Sequence, residues 1–63
     1  LKRSEFIRRI NGLGCELLRH GNRHDIYINT NNGKRAPIPR HKEIADTLTK
    51  IILKQLGIEK DDV

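Results

Sequence analysis

The stretch "DIYINTNNGKRAPIP", residues 25–39, reads as a β-hairpin, and that reading decides the fold class. Ile26 and Ile28 alternate with Asp25, Tyr27 and Asn29, which is the period of two of a half-buried strand. The isoleucines are expected to point inward. Thr30-Asn31-Asn32-Gly33 is a turn signal, because asparagine and glycine tolerate positive φ and Asn-Gly favours a hairpin. The returning strand, residues 34–39, places Ala36 and Ile38 on one face. Pro37 and Pro39 have no N–H to donate to a ladder, so this strand is expected at an edge or with its prolines on the unpaired side.

On the N-terminal side of the hairpin, Phe6, Ile7, Ile10 and Leu13 form one stripe of an amphipathic helix, with Arg8, Arg9 and Asn11 outside it. Ser4 is expected to cap its start, and Gly12 or Gly14 to end it. Residues 15–19 suit a strand, but Leu17 and Leu18 are adjacent and leave its inward side unassigned. On the C-terminal side, a second helix is expected after Arg40-His41-Lys42-Glu43, capped by Asp46 and stopped by Gly57. Its stripe is Ile44, Leu48, Ile51, Ile52, Gln55 and Leu56, with Lys50 and Lys54 on the polar side. The acidic tail, residues 59–63, is expected to fray. The order helix, three strands, helix predicts a two-layer α+β fold, with both helices on one face of an antiparallel sheet and the other face open.

A chain of 63 residues reads as a single domain, 1–63. A domain of this size buries roughly 60% of the surface its unfolded form exposes, which leaves no room for a deep cofactor cavity. A shallow surface site suits it better. The apolar fraction of 35% and mean hydropathy of -0.68 are low, yet the apolar residues are periodic, which argues against disorder. The net charge of +5 favours a polyanionic partner, nucleic acid or an acidic protein. Cys15 is the one cysteine, so neither an internal disulfide nor a multi-thiolate metal site is available. No cofactor and no metal site is expected. No run approaches the roughly 20 apolar residues of a membrane span, and a cytoplasmic, soluble protein is the expectation.

His24 opens the first hairpin strand, behind Gly21-Asn22-Arg23. Histidine titrates near neutrality, so its neutral form can take the proton of a ribose 2′-hydroxyl, whose oxygen then attacks the adjacent phosphate. Arginine beside it can offset the charge that develops. The competing reading is structural, since alternation puts His24 on the side of Ile26 and Ile28, where it would cap the edge of the core. His20 and His41 are candidates for a second acid or base. Cys15 reads as a core residue, because apolar neighbours raise a thiol's pKa and blunt it. Arg23, Arg40 and Lys42 are the nearest candidates for RNA contacts, since strand pairing can bring 40–42 to the start of the strand at 24. Arg8 and Arg9 on the first helix are a further basic surface.

The chain resembles the HicA toxins, small ribonucleases of HicA–HicB toxin–antitoxin pairs, over about residues 2–58. The resemblance is carried by Gly14, "LLRHGNRHDIYIN" (17–29), "NNGKR" (31–35), "IPRHKEI" (38–44) and "ILKQLGI" (52–58), in that order. It implies a fold like that of double-stranded-RNA-binding domains, an mRNA endonuclease activity that needs no metal, and a HicB-type antitoxin as partner. It also places the family's active histidine on His24. Two positions depart from the family pattern. Arg23 stands where the family has serine or lysine, and Asn22 where it has glycine, with Gly21 one step earlier. Asparagine is expected to keep the left-handed turn there. Two other readings stand beside the ribonuclease: an RNA-binding module with a structural His24, and a DNA-binding or ribosome-associated protein. A helix-turn-helix is disfavoured, because thirty residues of strand and turn separate the two helices.

Overall fold

The computed structural model describes residues 1–58. The acidic tail expected to fray lies outside them. Helix α1 spans Arg3–Gly12, strands β1, β2 and β3 span Cys15–His20, His24–Asn29 and Arg35–Pro39, and helix α2 spans Asp46–Gln55. The strands form one antiparallel sheet in the order β1-β2-β3. Helix α1 packs on β1 and α2 on β3, and both cover the same sheet face. The α+β order and the open second face are as the sequence predicts, and the topology is that of a double-stranded-RNA-binding domain.

The core lies between the helices and the inner sheet face. Phe6 and Ile10 enter it from α1, Cys15 from β1, Tyr27 from β2, Ala36 and Ile38 from β3, and Ile44, Ile52, Leu53 and Leu56 from the C-terminal segment. Cys15 is fully buried, and that burial pushes its thiol pKa up. It is a core residue, as expected. The proline-bearing strand β3 lies at a sheet edge, also as expected.

The facing of β2 is the reverse of the expectation. Asp25, Tyr27 and Asn29 point inward and are buried, while Ile26 and Ile28 lie half-buried on the open face. Each inward polar group has a partner that makes its burial tolerable. Asp25 is paired by cations, and the Asn29 amide donates to the Leu56 carbonyl at the end of α2 at 2.9 Å. Asn32, in the β2–β3 turn, donates to the same carbonyl at 3.1 Å, so the hairpin is fastened to the end of α2. That end is a Schellman motif. Gly57, at φ 71°, closes it with N–H bonds from Gly57 to the Lys54 carbonyl and from Ile58 to the Leu53 carbonyl.

Smaller expectations are also corrected. Ser4 and Asp46 cap nothing; Lys2 and Ala45 hold the N-cap positions without a side-chain bond, and Ser4 and Asp46 lie inside the first turns. The end of α1 is as expected: the helix runs through Gly12, and Gly14, at φ 94°, takes the left-handed conformation just beyond it. In α2 the buried face is Thr49, Ile52, Leu53 and Leu56, spaced at i, i+3, i+4 and i+7, whereas Ile51 is 53% exposed and Gln55 exposed. Ile44 is buried but precedes the helix, held by the backbone of the N-terminal segment.

Ile26 and Ile38 are the same residue type on opposite faces of paired strands, so one comparison tests the facing. Ile38→Ala is expected to destabilise by about 2–5 kcal/mol, as for a fully buried aliphatic side chain, and Ile26→Ala by less than half of that. Urea unfolding of the two variants measures both, and equal losses would contradict the facing described.

Candidate active site

His24 is the first residue of β2 and projects from the open face. The structural role weighed for it, a cap on the edge of the core, therefore falls away. It does share a side with Ile26 and Ile28, but that side carries no helix. Its imidazole makes no hydrogen bond among the described residues, which leaves both ring nitrogens available. Gly21, Asn22, Arg23, His24, Ile26 and Pro37 line a shallow hollow of about 370 Å³ beside it. The Arg23 side chain is exposed at its rim and forms no ion pair among the described residues.

The turn that carries Arg23 is closed by the Gly21 N–H donating to the His24 carbonyl at 2.7 Å. A Cβ at Gly21 would sit 2.7 Å from that carbonyl oxygen, so glycine is required there for close approach. Asn22 does not take a left-handed conformation, contrary to the expectation, since no non-glycine residue among those described has positive φ.

Behind the turn, on the inner face, lies a cluster that the sequence reading missed. Asp25 is 7% exposed and uses both carboxylate oxygens. One meets His20 Nδ1 at 2.8 Å and Arg40 Nε at 2.9 Å, and the other accepts from Arg3 Nη2 at 2.8 Å. Arg3 Nε also donates to the Pro39 carbonyl at 2.8 Å. Arg40 reaches on to the carbonyls of Gly21 and Asn22. The hydrogen bond from His20 holds the Asp25 carboxyl below its ordinary value, joined by the hydrogen bond and charge of Arg40, while burial works the other way.

Of the residues singled out from the sequence, Arg23, His24 and Arg40 come together around the turn. Each of the three guanidinium nitrogens of Arg40 has an internal acceptor. Lys42 lies two residues past Arg40 with an exposed side chain, and its carbonyl accepts the Arg3 N–H at 2.8 Å. Arg8 and Arg9 are exposed on α1, which covers the opposite sheet face from His24. His41 is exposed in the segment before α2, and His20 is engaged with Asp25 though 70% exposed. No group of three or more metal-ligating side chains occurs among the described residues. No helix among them is long and apolar enough to cross a membrane.

The chain is thus a small basic domain with this topology and, on its open face, an exposed histidine beside an arginine, without an internal partner among the described residues. The family is shown by comparison: the model of the HicA toxin of bacterial toxin–antitoxin systems matches residues 3–58, and the chain belongs to that family. It is 41% identical over 61 residues to the "Probable mRNA interferase HicA 2" of Photorhabdus laumondii subsp. laumondii, a span of 94% of this chain and 100% of the relative. No solved structure matches the chain.

The Asp25 cluster has a pH signature. A carboxyl whose folded pKa is depressed contributes stability above its unfolded value of about 3.9, and that stability is lost as pH falls through the folded value. Asp25→Asn should therefore lower the melting temperature near neutral pH and flatten its decline in acid. Melting curves of both proteins from about pH 7 to about pH 3 decide it; parallel curves would remove Asp25 from the acid transition.

Proposed function

We propose that the chain is a toxin of a toxin–antitoxin pair that cleaves single-stranded RNA without a metal, with His24 as general base. The observation that carries this is the exposed His24 imidazole, free of internal partners, beside Arg23 on the open face. The printed name of the Photorhabdus relative, an mRNA interferase, supports the substrate class. In this reaction neutral His24 accepts the 2′-hydroxyl proton and the 2′-oxygen attacks the adjacent phosphorus. The bond to the 5′-oxygen breaks, that oxygen leaves with a proton from water, and the hydroxide so formed takes the proton back from His24. The products are a 2′,3′-cyclic phosphate and a 5′-hydroxyl. The nucleophile belongs to the substrate, which restricts the reaction to RNA.

Arg23 offsets the charge that accumulates on the phosphate, and Lys42 extends the basic surface. Arg40 acts as a positioning residue, because its guanidinium bridges Asp25 to the turn that carries Arg23 and His24. Purified protein is expected to cleave single-stranded RNA in EDTA and leave the cyclic phosphate or its 3′-phosphate hydrolysis product. His24→Ala should lower the rate by about 10²–10⁴ with an unchanged melting temperature. Products ending in 5′-phosphate, or a strict need for added metal, would reject the mechanism. Loss of cleavage together with loss of folding would return His24 to a structural role.

Restraint falls to a HicB-type antitoxin. A shallow site with no lid among the described residues is most simply silenced by covering it, and an acidic surface would be steered to Arg23 and Lys42. The His24 ring protons should then shift in NMR spectra and lose solvent accessibility in the inactive complex. If His24 stays equally accessible there, masking is wrong and inhibition acts from another surface.

A further inference from the structure

Arg19 and Arg35 were not among the candidate RNA contacts, yet the strand register puts both on the face that carries His24. We propose that this face is the track of the single-stranded RNA, gripped by Arg19 and Arg35 across an apolar floor of Ile26, Ile28 and Pro37. The inference rests on the ribonuclease reading and names the surface that serves it.

Residues directly opposite in an antiparallel pair share a face. Arg19 and Pro37 both stand opposite Ile26, one from each neighbouring strand, and Arg35 stands opposite Ile28. His24, Ile26 and Ile28 alternate along β2 on that same face. Arg19 reaches it only because the register of β1 slips between Leu17 and Arg19. Leu17 lies opposite inward-facing Tyr27, so in an unbroken strand Arg19, two residues on, would also face inward. The extra residue, Leu18, instead sends Arg19 outward and His20 inward to Asp25. One bulge thus builds both the internal anchor and the outer basic site.

Neither guanidinium makes an ion pair or side-chain hydrogen bond among the described residues, unlike those of Arg3 and Arg40. Both are exposed and free to meet phosphate. The two flank the central strand diagonally, about 12 Å apart by strand spacing and rise. Ile26 and Ile28 between them are half-buried, apolar surface for the faces of bases or riboses. Tyr27 points inward, so the floor offers apolar contact without aromatic stacking. Glu16, the one acidic strand residue on this face, stands opposite Ile28 on the β1 side and turns a polyanion toward Arg35. The track leads into the hollow at His24 that Ile26 and Pro37 help to line. Arginines with no internal partner, continuous with that hollow, favour a phosphodiester strand over a protein surface.

The test measures binding of a fluorescent single-stranded RNA by anisotropy across a salt series, on the His24→Ala background so that the probe survives. Arg19→Ala and Arg35→Ala should each lower the salt slope by about 0.7, and the double variant by about twice that, while Arg19→Lys and Arg35→Lys retain it. In the otherwise wild-type protein the same alanine changes should raise KM with little effect on kcat. A DNA strand of the same sequence should show the same slopes and no cleavage. Unchanged slopes in all alanine variants, or slopes that fall only with Arg8→Ala and Arg9→Ala, overturn the track. If the wild type cleaves and these variants bind normally, the track fails and the ribonuclease stands. If nothing cleaves but the slopes fall as stated, the track stands and the ribonuclease reading fails.

Discussion

Asp25 sits on the inner face of the central strand with two arginines and a histidine from three other segments around it, and much of the molecule is arranged by that fact. Arg3 comes from α1, His20 from the end of β1, and Arg40 from the chain just past β3. A buried carboxylate left without partners is costly, so removing one partner harms more than the pair is worth. Here both oxygens are satisfied, and satisfying them pulls α1, β1 and the exit of β3 onto one end of β2. Arg40 then carries the constraint to the turn at residues 21–22, and Arg3 carries it to the carbonyl of Pro39.

The same carboxylate decides the direction of His24. Side chains alternate along a strand, so Asp25 inward requires His24 and Ile26 outward. This step was hidden in the sequence. The pattern at 24–29 has one set of His, Ile, Ile and another of Asp, Tyr, Asn, and hydrophobicity alone favours burying the first. The second set wins because each of its members has a place. Asp25 has its cations, Asn29 has the Leu56 carbonyl, and Tyr27 fills the core. Arg40 and Arg3 lie 15 and 22 residues from Asp25, and Leu56 lies 27 from Asn29, beyond any local pattern. Element order, the hairpin, the edge position of the proline strand and the stop at Gly57 were legible because each depends on neighbouring residues only. The bulge at Leu18 left a trace, the adjacent leucines that defied alternation, but its consequence for Arg19 and His20 needed the partner strand.

The candidate site was legible in part for the same reason. His24 and Arg23 adjoin in sequence, so a motif could find them, and Arg40 could be placed near them by strand pairing. What the motif could not reveal is that Arg40 is tied inward to Asp25, or that Arg8 and Arg9 lie across the sheet. The division between the two faces follows from this. Packing is confined to the helix-covered side, while the open side carries His24 over apolar residues that contribute little to the core. Changes on the open face can therefore alter chemistry without unfolding the domain, except at Gly21, where the backbone itself closes on His24.

An open face is a poor place for electrostatic catalysis, since water screens the charges that a buried site would strengthen. The proposed reaction suits such a face because it asks little of it. The nucleophile is carried by the ribose next to the phosphate it attacks, so no second reactant has to be captured or activated in a closed cavity. What remains for the protein is alignment, one proton acceptor and compensation of charge at the phosphate. Alignment is where rigidity matters, and misplacement of about 1 Å can cost about 100-fold in rate. The inner cluster answers that need from behind the site. Asp25 holds Arg40, Arg40 holds the carbonyls of the turn, and the turn sets His24 against the shallow hollow. A thin domain can hold a reacting group in place this way, with the order supplied from the face opposite His24.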